Sequence, residues 1–166
     1  MYRKLLSLIL FIVIAPPTLF SQSSGAFDFH SVIPVPRQVQ TFPGKITIGQ
    51  DLQFELSGFG DSLDAAVDLL QLSTRHLNTT GKPTIIKTER ISGFSSFSID
   101  SAVLHQAYEL SITDDVIVIR ATSAQGSFYG MMTILQMLEL SKDGVFPKAV
   151  ITDYPDLELR GISDDI

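Results

Sequence analysis

The sequence contains no cysteine. The chain can therefore form no disulfide and no thiolate metal site, and it has no cysteine through which a lipid anchor could be attached. Its stability has to come from the hydrophobic core alone.

Basic residues are also few: 12 Lys and Arg stand against 18 Asp and Glu, for a formal net charge of −6. An acidic chain without basic clusters is a poor partner for nucleic acid, so we expect no nucleic-acid binding. We attribute the excess of negative charge to solubility.

The sequence lacks the short patterns that are typical of common catalytic sites. It has no HExxH, no GxSxG and no phosphate-binding glycine loop. None of its histidines belongs to a close pair with an acid at metal-ligand spacing, so we expect no metal and no cofactor. Residue types alone therefore do not establish an enzyme. The histidines are His30, His76 and His105.

Residues 1–21 have the pattern of a secretory signal peptide. Arg3 and Lys4 give a positive start, and an apolar run of about 11 residues follows at 5–15. A transmembrane helix needs roughly 20 apolar residues, so we expect cleavage and export to the periplasm or the extracellular space, with no stable membrane anchor afterwards. An uncleaved anchor is the alternative.

Hydrophobic patterning predicts one α+β domain over residues 32–155, an antiparallel sheet with two helices packed on it. Tyr108–Ile112 alternates with period two and Val116–Ile119 is continuously apolar, so the two segments are expected to form a hairpin. Pro43 and Gly44 predict a turn before a short strand at 45–48. Further strands are expected at 52–56, 84–88 and 149–152.

Two helices are expected beside these strands. The first is predicted to begin with Asp61 as its N-cap and to end at Gly81. The second is predicted to begin near Thr122 or Ser123, where Thr122 fits a capping box with Gln125, and to stop before Gly144. The residues of the second helix that are expected to face the sheet are Phe128, Met131, Leu135 and Leu138.

Two local patterns could indicate a packing site or a catalytic site. Gly126 and Gly130 are four residues apart, which in a soluble helix indicates close packing against a neighbour. Asp164 and Asp165 form an acidic pair, but adjacent residues of a strand point to opposite faces. These two carboxylates therefore cannot flank one scissile bond.

A longer stretch carries a family resemblance. Residues 108–138, YELSITDDVIVIRATSAQGSFYGMMTILQML, resemble the N-terminal domain of family 20 glycoside hydrolases, in which a hairpin of the type Y-x-L-x-I…I-x-I-x-A precedes a helix that begins G-x-F/Y-Y-G. The matching residues are Tyr108, Leu110, Ile112, Ala121, Gly126, Phe128, Tyr129, Gly130, Thr133, Leu135 and Gln136.

Two further segments extend the resemblance. Ile151–Pro155, followed by Leu159–Gly161, is similar to the I-x-D-x-P…Y-R-G entry into the catalytic barrel of that family. Ile33–Pro36 is similar to the opening of its auxiliary domain. The resemblance thus covers nearly all of the chain that follows the leader.

The resemblance implies an auxiliary α+β domain packed against a (β/α)8 barrel, whose truncated first strand would begin within residues 156–166. In this family a Glu is the general acid, and a neighbouring Asp orients the substrate acetamide for substrate-assisted, retaining hydrolysis of terminal β-linked N-acetylhexosamines. A barrel needs roughly 250 residues, and that Asp–Glu pair has no counterpart here. We expect this chain to be an inactive fragment of a longer protein that binds N-acetylhexosamine-containing glycans through its barrel.

The same resemblance implies a role for Arg160 and Asp165, and no catalytic residue in this chain. Arg160 matches a family arginine at the end of the first barrel strand that binds sugar hydroxyls, which suits the several donors of a guanidinium. Asp165 matches an acid that supports this position. The alternative for Arg160 is a surface ion pair.

Ser163 and Asp164 replace two apolar residues of the family pattern R-G-L-M-L-D, which leaves the subfamily open. The front domain of a related glycosidase, of the family 84 or family 67 type, is one alternative. An exported module without catalysis that binds glycans or a partner is another.

Overall fold

The structure, a computed structural model, describes residues 27–78, 82–95, 98–114, 116–141 and 143–157. The described part contains a six-stranded sheet and two α-helices. The strands are β1 (Gln38–Thr47), β2 (Leu52–Leu56), β3 (Thr84–Arg90), β4 (Tyr108–Ile112), β5 (Val116–Ala121) and β6 (Val145–Asp153). The helices are α1 (Asp64–Ser73) and α2 (Ala124–Ser141).

The strand order in the sheet is β1-β6-β4-β5-β3-β2. The predicted α+β class with two helices is confirmed, and β4 and β5 form the expected hairpin. The sheet is nevertheless mixed: β1, β6, β4 and β5 pair antiparallel, whereas β3 pairs parallel with both β5 and β2. The parallel β2–β3 pair follows from α1, because a helical crossover returns the chain to the end of the sheet from which it started.

Both helices lie on the same side of the sheet. The crossover from β2 through α1 to β3 and the crossover from β5 through α2 to β6 connect strands that run in the same direction. Each crossover also moves the chain in the same direction across the sheet. Since such crossovers are almost always right-handed, both helices are placed on one face, where they contact each other.

Glycines let α2 approach the sheet closely. A Cβ added to Gly126 would collide with the carbonyl oxygen of Ala107, and one added to Gly130 would lie 2.7 Å from the Ile119 side chain. The prediction that this glycine pair serves close packing is confirmed. Met131 and Leu138 are buried as predicted, but Phe128 and Leu135 are only partly buried. The sheet-facing stripe runs instead through the glycines, Ile134 and Met137.

The predicted start of α2 is correct, but its cap is a different residue. The Ser123 hydroxyl accepts hydrogen bonds from the backbone N–H groups of Gln125 and Gly126, at 3.1 and 3.3 Å. The Thr122 hydroxyl instead donates to the carbonyl of Leu104. A capping box at Thr122 and Gln125 is therefore wrong, because the loop before β4 takes the Thr122 hydroxyl.

The predicted bounds of α1 are also wrong. A 3-10 turn at Gly60–Leu63 occupies the predicted start, and the α-helix begins at Asp64. It ends at Ser73, well before Gly81, because the Thr74 hydroxyl donates to the carbonyl of Gln50 and the chain turns there.

Pro43 and Gly44 lie within β1, where a turn was predicted. The pairing with β6 shifts between Phe42 and Lys45, so the two residues form a bulge. An edge strand tolerates proline at such a point because its outer side needs no ladder hydrogen bond.

Within the described ranges, neither helix combines the length and the hydrophobicity needed to cross a membrane. The predicted signal peptide at 1–21 lies outside those ranges, and so does the predicted barrel strand from residue 158 onward. The domain boundaries at residues 32 and 155 stay predictions.

Candidate functional site

The two predicted site residues, Arg160 and Asp165, lie outside the described residues. The described chain nevertheless shows the surface beside the segment that leads to them. There, a groove of about 610 Å³ lies between α2, the segment before β1 and the segment after β6. We call it the exit groove; its lining residues include 33–35, Tyr129, Met132, Gln136 and 153–157.

The floor of the exit groove is a buried pair of hydroxyls. Tyr108, on β4, is 2% exposed, and its hydroxyl lies 2.6 Å from that of Thr133 on α2. Burial raises the pKa of Tyr108 well above its ordinary value, the nearby charge of Asp153 raises it further, and the bond to Thr133 lowers it. The phenol is therefore neutral at physiological pH and joins the hairpin to the helix.

One wall of the groove is fixed by Gln136, on α2. Its side-chain oxygen accepts from the N–H of Ile33 at 2.8 Å, and its side-chain nitrogen donates to the carbonyl of Ile33 at 2.9 Å. The amide thereby pairs with the backbone as a neighbouring strand would. Ile33 is held by its backbone while the residue remains 76% exposed.

A second wall, the segment after β6, is held by Arg37, just before β1. Its backbone N–H donates to Asp153 at 3.3 Å, and its Nε donates to the carbonyl of Tyr154 at 2.8 Å. The guanidinium also forms an ion pair with Asp156 and stacks over the Tyr154 ring, 4.5 Å from its centroid. We call these contacts the Arg37 clamp.

The groove exposes large apolar side chains beside its polar and charged ones. Ile33, Val35 and Leu157 are exposed by 76%, 49% and 65%, and they line the same concave surface. Among the residues that the structure describes, no group of three His, Asp or Glu could hold a metal ion. Exposed apolar surface of this kind is suited to docking. The two carboxylates in the lining, Asp153 and Asp156, both bond Arg37.

The helix layer exposes further large apolar residues, namely Leu69 and Leu72 on α1 and Leu140 on α2. The other face of the sheet is different, because its charges are paired. Lys87 lies 2.6 Å from Glu55, and Arg120 bonds both Glu89 and Glu109, at 2.8 and 3.2 Å. Paired surface charges are well solvated, so this face of the sheet is suited to contact with solvent. The side that carries the helices is better suited to contact with another domain.

Tyr108, Thr133 and Gln136 belong to the family pattern in the sequence, which predicts no contact for them. Their pairing could be found only from the fold, since Gln136 bonds a residue 103 positions away. Arg37 carried no sequence signal, and its partner Asp156 lies 119 positions along the chain.

Comparison with known proteins gives a family match. The family model described as "glycosyl hydrolase family 20, domain 2" matches residues 30–154. The N,N'-diacetylchitobiase of Vibrio harveyi is 25% identical over 136 residues, which are 82% of this chain and 15% of that protein. The chain therefore spans a small part of the length of this relative.

Solved structures share the fold. The chitobiase FjGH20 of Flavobacterium johnsoniae aligns with a TM-score of 0.55 and 24% identity, over 78% of this chain and 21% of its own. The protein CpGH84D aligns with a TM-score of 0.58 and 17% identity, over 77% of this chain and 24% of its own. At these identities the likeness shows a common fold and nothing finer.

Proposed function

Since the chain belongs to glycosyl hydrolase family 20, of which it carries domain 2, we propose that it is the front domain of an exported β-N-acetylhexosaminidase-like enzyme. The complete protein hydrolyses terminal β-linked N-acetylhexosamines by substrate-assisted, retaining catalysis. This segment supports the catalytic barrel and performs no chemistry itself.

The family match over residues 30–154 is the observation that carries this proposal. The similar protein from Vibrio harveyi is a diacetylchitobiase, which is consistent with N-acetylglucosamine-containing substrates. The leader pattern at residues 1–21 adds export, and carbohydrate polymers outside the cell are the substrates that an exported glycosidase meets.

The apolar exit groove and the helix layer are the surfaces through which we place the barrel. Exposed apolar surface of this kind marks interaction sites in soluble proteins. The groove lies where the chain leaves β6, so a following domain would reach it without a long linker. The face with paired charges, around Arg120, would remain in water.

Within the complete enzyme, we assign Arg160 to the mouth of the barrel. Strand ends at this position line the active sites of (β/α)8 enzymes, and a guanidinium can donate to two neighbouring sugar hydroxyls. Asp165 supports it from a nearby position. The catalytic Asp–Glu pair is contributed by the barrel.

Expression of the complete reading frame that contains this chain tests the proposal. The purified protein is assayed with a chromogenic N-acetyl-β-glucosaminide and with N,N'-diacetylchitobiose, and the anomeric configuration of the first product is followed by NMR. We expect turnover with retention of configuration. A folded protein that leaves both substrates intact would refute the activity.

The front domain of a family 84 type enzyme has the same fold, as in CpGH84D, but the family match assigns this chain to family 20. A second candidate is a non-catalytic module that binds glycans or a partner. It predicts that the 166-residue chain binds chitooligosaccharides or another partner and that the complete protein hydrolyses neither substrate. Calorimetric titration with chitooligosaccharides tests the glycan-binding form.

A further inference from the structure

The contacts of Arg37 are directed at the segment that leaves the domain. The residue precedes β1, at one edge of the sheet, and all its contacts in the Arg37 clamp fall on residues 153–156, the end of β6 and its continuation. One side chain thus bonds a carboxylate and a backbone carbonyl and covers an aromatic ring. Pro155 lies within the same segment and restricts its backbone further.

The Arg37 clamp lies outside the hydrophobic core. The Arg37 side chain is 33% exposed and that of Asp156 is 85% exposed, and neither residue belongs to the buried cluster. Exposed ion pairs contribute little to folding stability. The domain itself therefore gains little from holding this segment in one place.

An ordered segment at residues 153–156 is of more use to the domain that follows. The segment is the covalent link to it under the proposed function, and the segment forms part of the exit groove on which that domain would dock. Two parts of one chain dock more readily when the link between them is already ordered, because less conformational entropy is lost.

We propose that Arg37 is a positioning residue that fixes the course of residues 153–156 and thereby sets the orientation in which the catalytic barrel docks on the exit groove. This inference rests on the proposed function and adds a specific determinant of domain geometry. Arginine is required because its planar fork can bond a carbonyl and a carboxylate together while its face stacks on a ring. Lysine offers a single point charge and keeps at most the ion pair.

The first experiment uses the 166-residue chain and does not depend on any activity. Amide hydrogen exchange is followed by mass spectrometry in peptides that cover residues 153–157, for the parent and for Arg37→Gln. We expect exchange there to become roughly tenfold faster in the variant, since local opening needs less free energy. Peptides from α2 should exchange unchanged, and the melting temperature should move little.

The second experiment uses the complete protein. Arg37→Gln should lower kcat/KM for the chromogenic N-acetyl-β-glucosaminide by roughly tenfold, because small displacements of an active site are costly. Arg37→Lys should give an intermediate value. The control is Arg90→Gln, which removes an exposed arginine of β3 whose guanidinium lies 5.3 Å from the centroid of the Phe59 ring. This variant should leave kcat/KM and the exchange at 153–157 unchanged.

Asp156→Asn is the second variant, in case Arg37→Gln disturbs folding. It alters only an exposed carboxylate and should shift exchange and kcat/KM in the same direction. The double variant should be no worse than Arg37→Gln alone, since both changes remove the same ion pair.

The outcomes separate the two proposals. Unchanged exchange at residues 153–157 in both single variants would overturn the Arg37 clamp. Faster exchange with unchanged kcat/KM would overturn its role in orienting the barrel. A complete parent protein with no hydrolytic activity would sink the proposed function, and the exchange data would still decide whether Arg37 orders the segment.

Discussion

The hydroxyl oxygens of Tyr108 and Thr133 lie 2.6 Å apart in the interior. Tyr108 belongs to the hairpin and Thr133 to α2, so this contact connects the sheet with the helix layer directly below the exit groove. A buried polar pair of this kind is stabilising only while both partners are present.

Tyr108→Phe should lower the free energy of unfolding by about 1–3 kcal/mol, because it leaves the buried Thr133 hydroxyl without its partner. Urea denaturation of the 166-residue chain measures the change. Tyr108→Phe combined with Thr133→Val should recover much of the loss, since both polar groups are then gone. A single variant as stable as the parent would contradict the importance of the pair.

The raised pKa of Tyr108 predicts a loss of stability in alkali. The pKa of Tyr108 is higher in the folded state than the ordinary tyrosine value of 10.0, so the unfolded chain releases this proton first as the pH rises. The contribution of neutral Tyr108 to folding stability is complete below about pH 10. It is lost as the pH rises from there through the raised pKa of the folded state. Unfolding free energies measured from pH 8 upward should therefore fall above pH 10, and Tyr108→Phe should lack this part of the decline.

Gly130→Ala should destabilise the domain by about 1–3 kcal/mol, the usual cost of overpacking a core. The added methyl group would lie 2.7 Å from the Ile119 side chain and 3.3 Å from the Tyr108 ring. Gly93→Ala is the matched control, because its added carbon meets nothing within 4 Å. Thermal melting of the two variants compares them directly, and equal melting temperatures would contradict the close approach of α2.

Arg160→Lys in the complete protein should lower kcat/KM by roughly ten- to hundredfold, because hydrogen bonds with a charged group contribute about 1.5–3 kcal/mol each. The melting temperature should stay the same, since a side chain at a barrel mouth contributes little to the core. Steady-state kinetics and a thermal scan check both statements. If kcat/KM were unchanged, Arg160 would be an ordinary surface residue and the alignment of residues 160–165 with the family pattern would lose its main support.

The purified 166-residue chain should not hydrolyse a chromogenic N-acetyl-β-glucosaminide, because the catalytic carboxylates are assigned to the barrel. The same assay on the complete protein serves as the positive control. Turnover by the chain alone, abolished by an inhibitor of family 20 enzymes, would show that this assignment is wrong.

Local sequence patterns predicted the helices and strands of this fold better than the pairing between strands. Period-two alternation at Tyr108–Ile112 and the apolar run after it were sufficient for the hairpin, because its strands are neighbours in sequence. The parallel pairing of β3 with β5 depends on contacts between distant segments, which no local pattern contains. The prediction of the sheet-facing side of α2 was partly wrong. It chose Phe128 and Leu135 because their side chains are large and apolar, whereas the residues of α2 that come closest to the sheet are glycines.

The candidate site could be predicted only in outline. The family pattern contained Gln136, but its side chain bonds the backbone of Ile33. Every residue has such backbone groups, so the sequence does not show which one is the partner. Arg37 was not recognised because its contacts assemble only after β1 and β6 have paired. The same long-range pairing brings both walls of the exit groove together.

The pairing of β1 with β6 also determines when the domain can fold. β1 has its ladder partner in β6, the last strand of the described residues, and β6 in turn separates β1 from β4. During synthesis from the N-terminus, the first strand therefore waits with an unpaired edge until residues 145–153 have been made. Long-range pairing of this type slows folding, because a large loop must close first. For a chain exported as we propose, a fold that depends on β6 remains open until late in the translation of this domain, and an open chain is the form that can be threaded through a membrane.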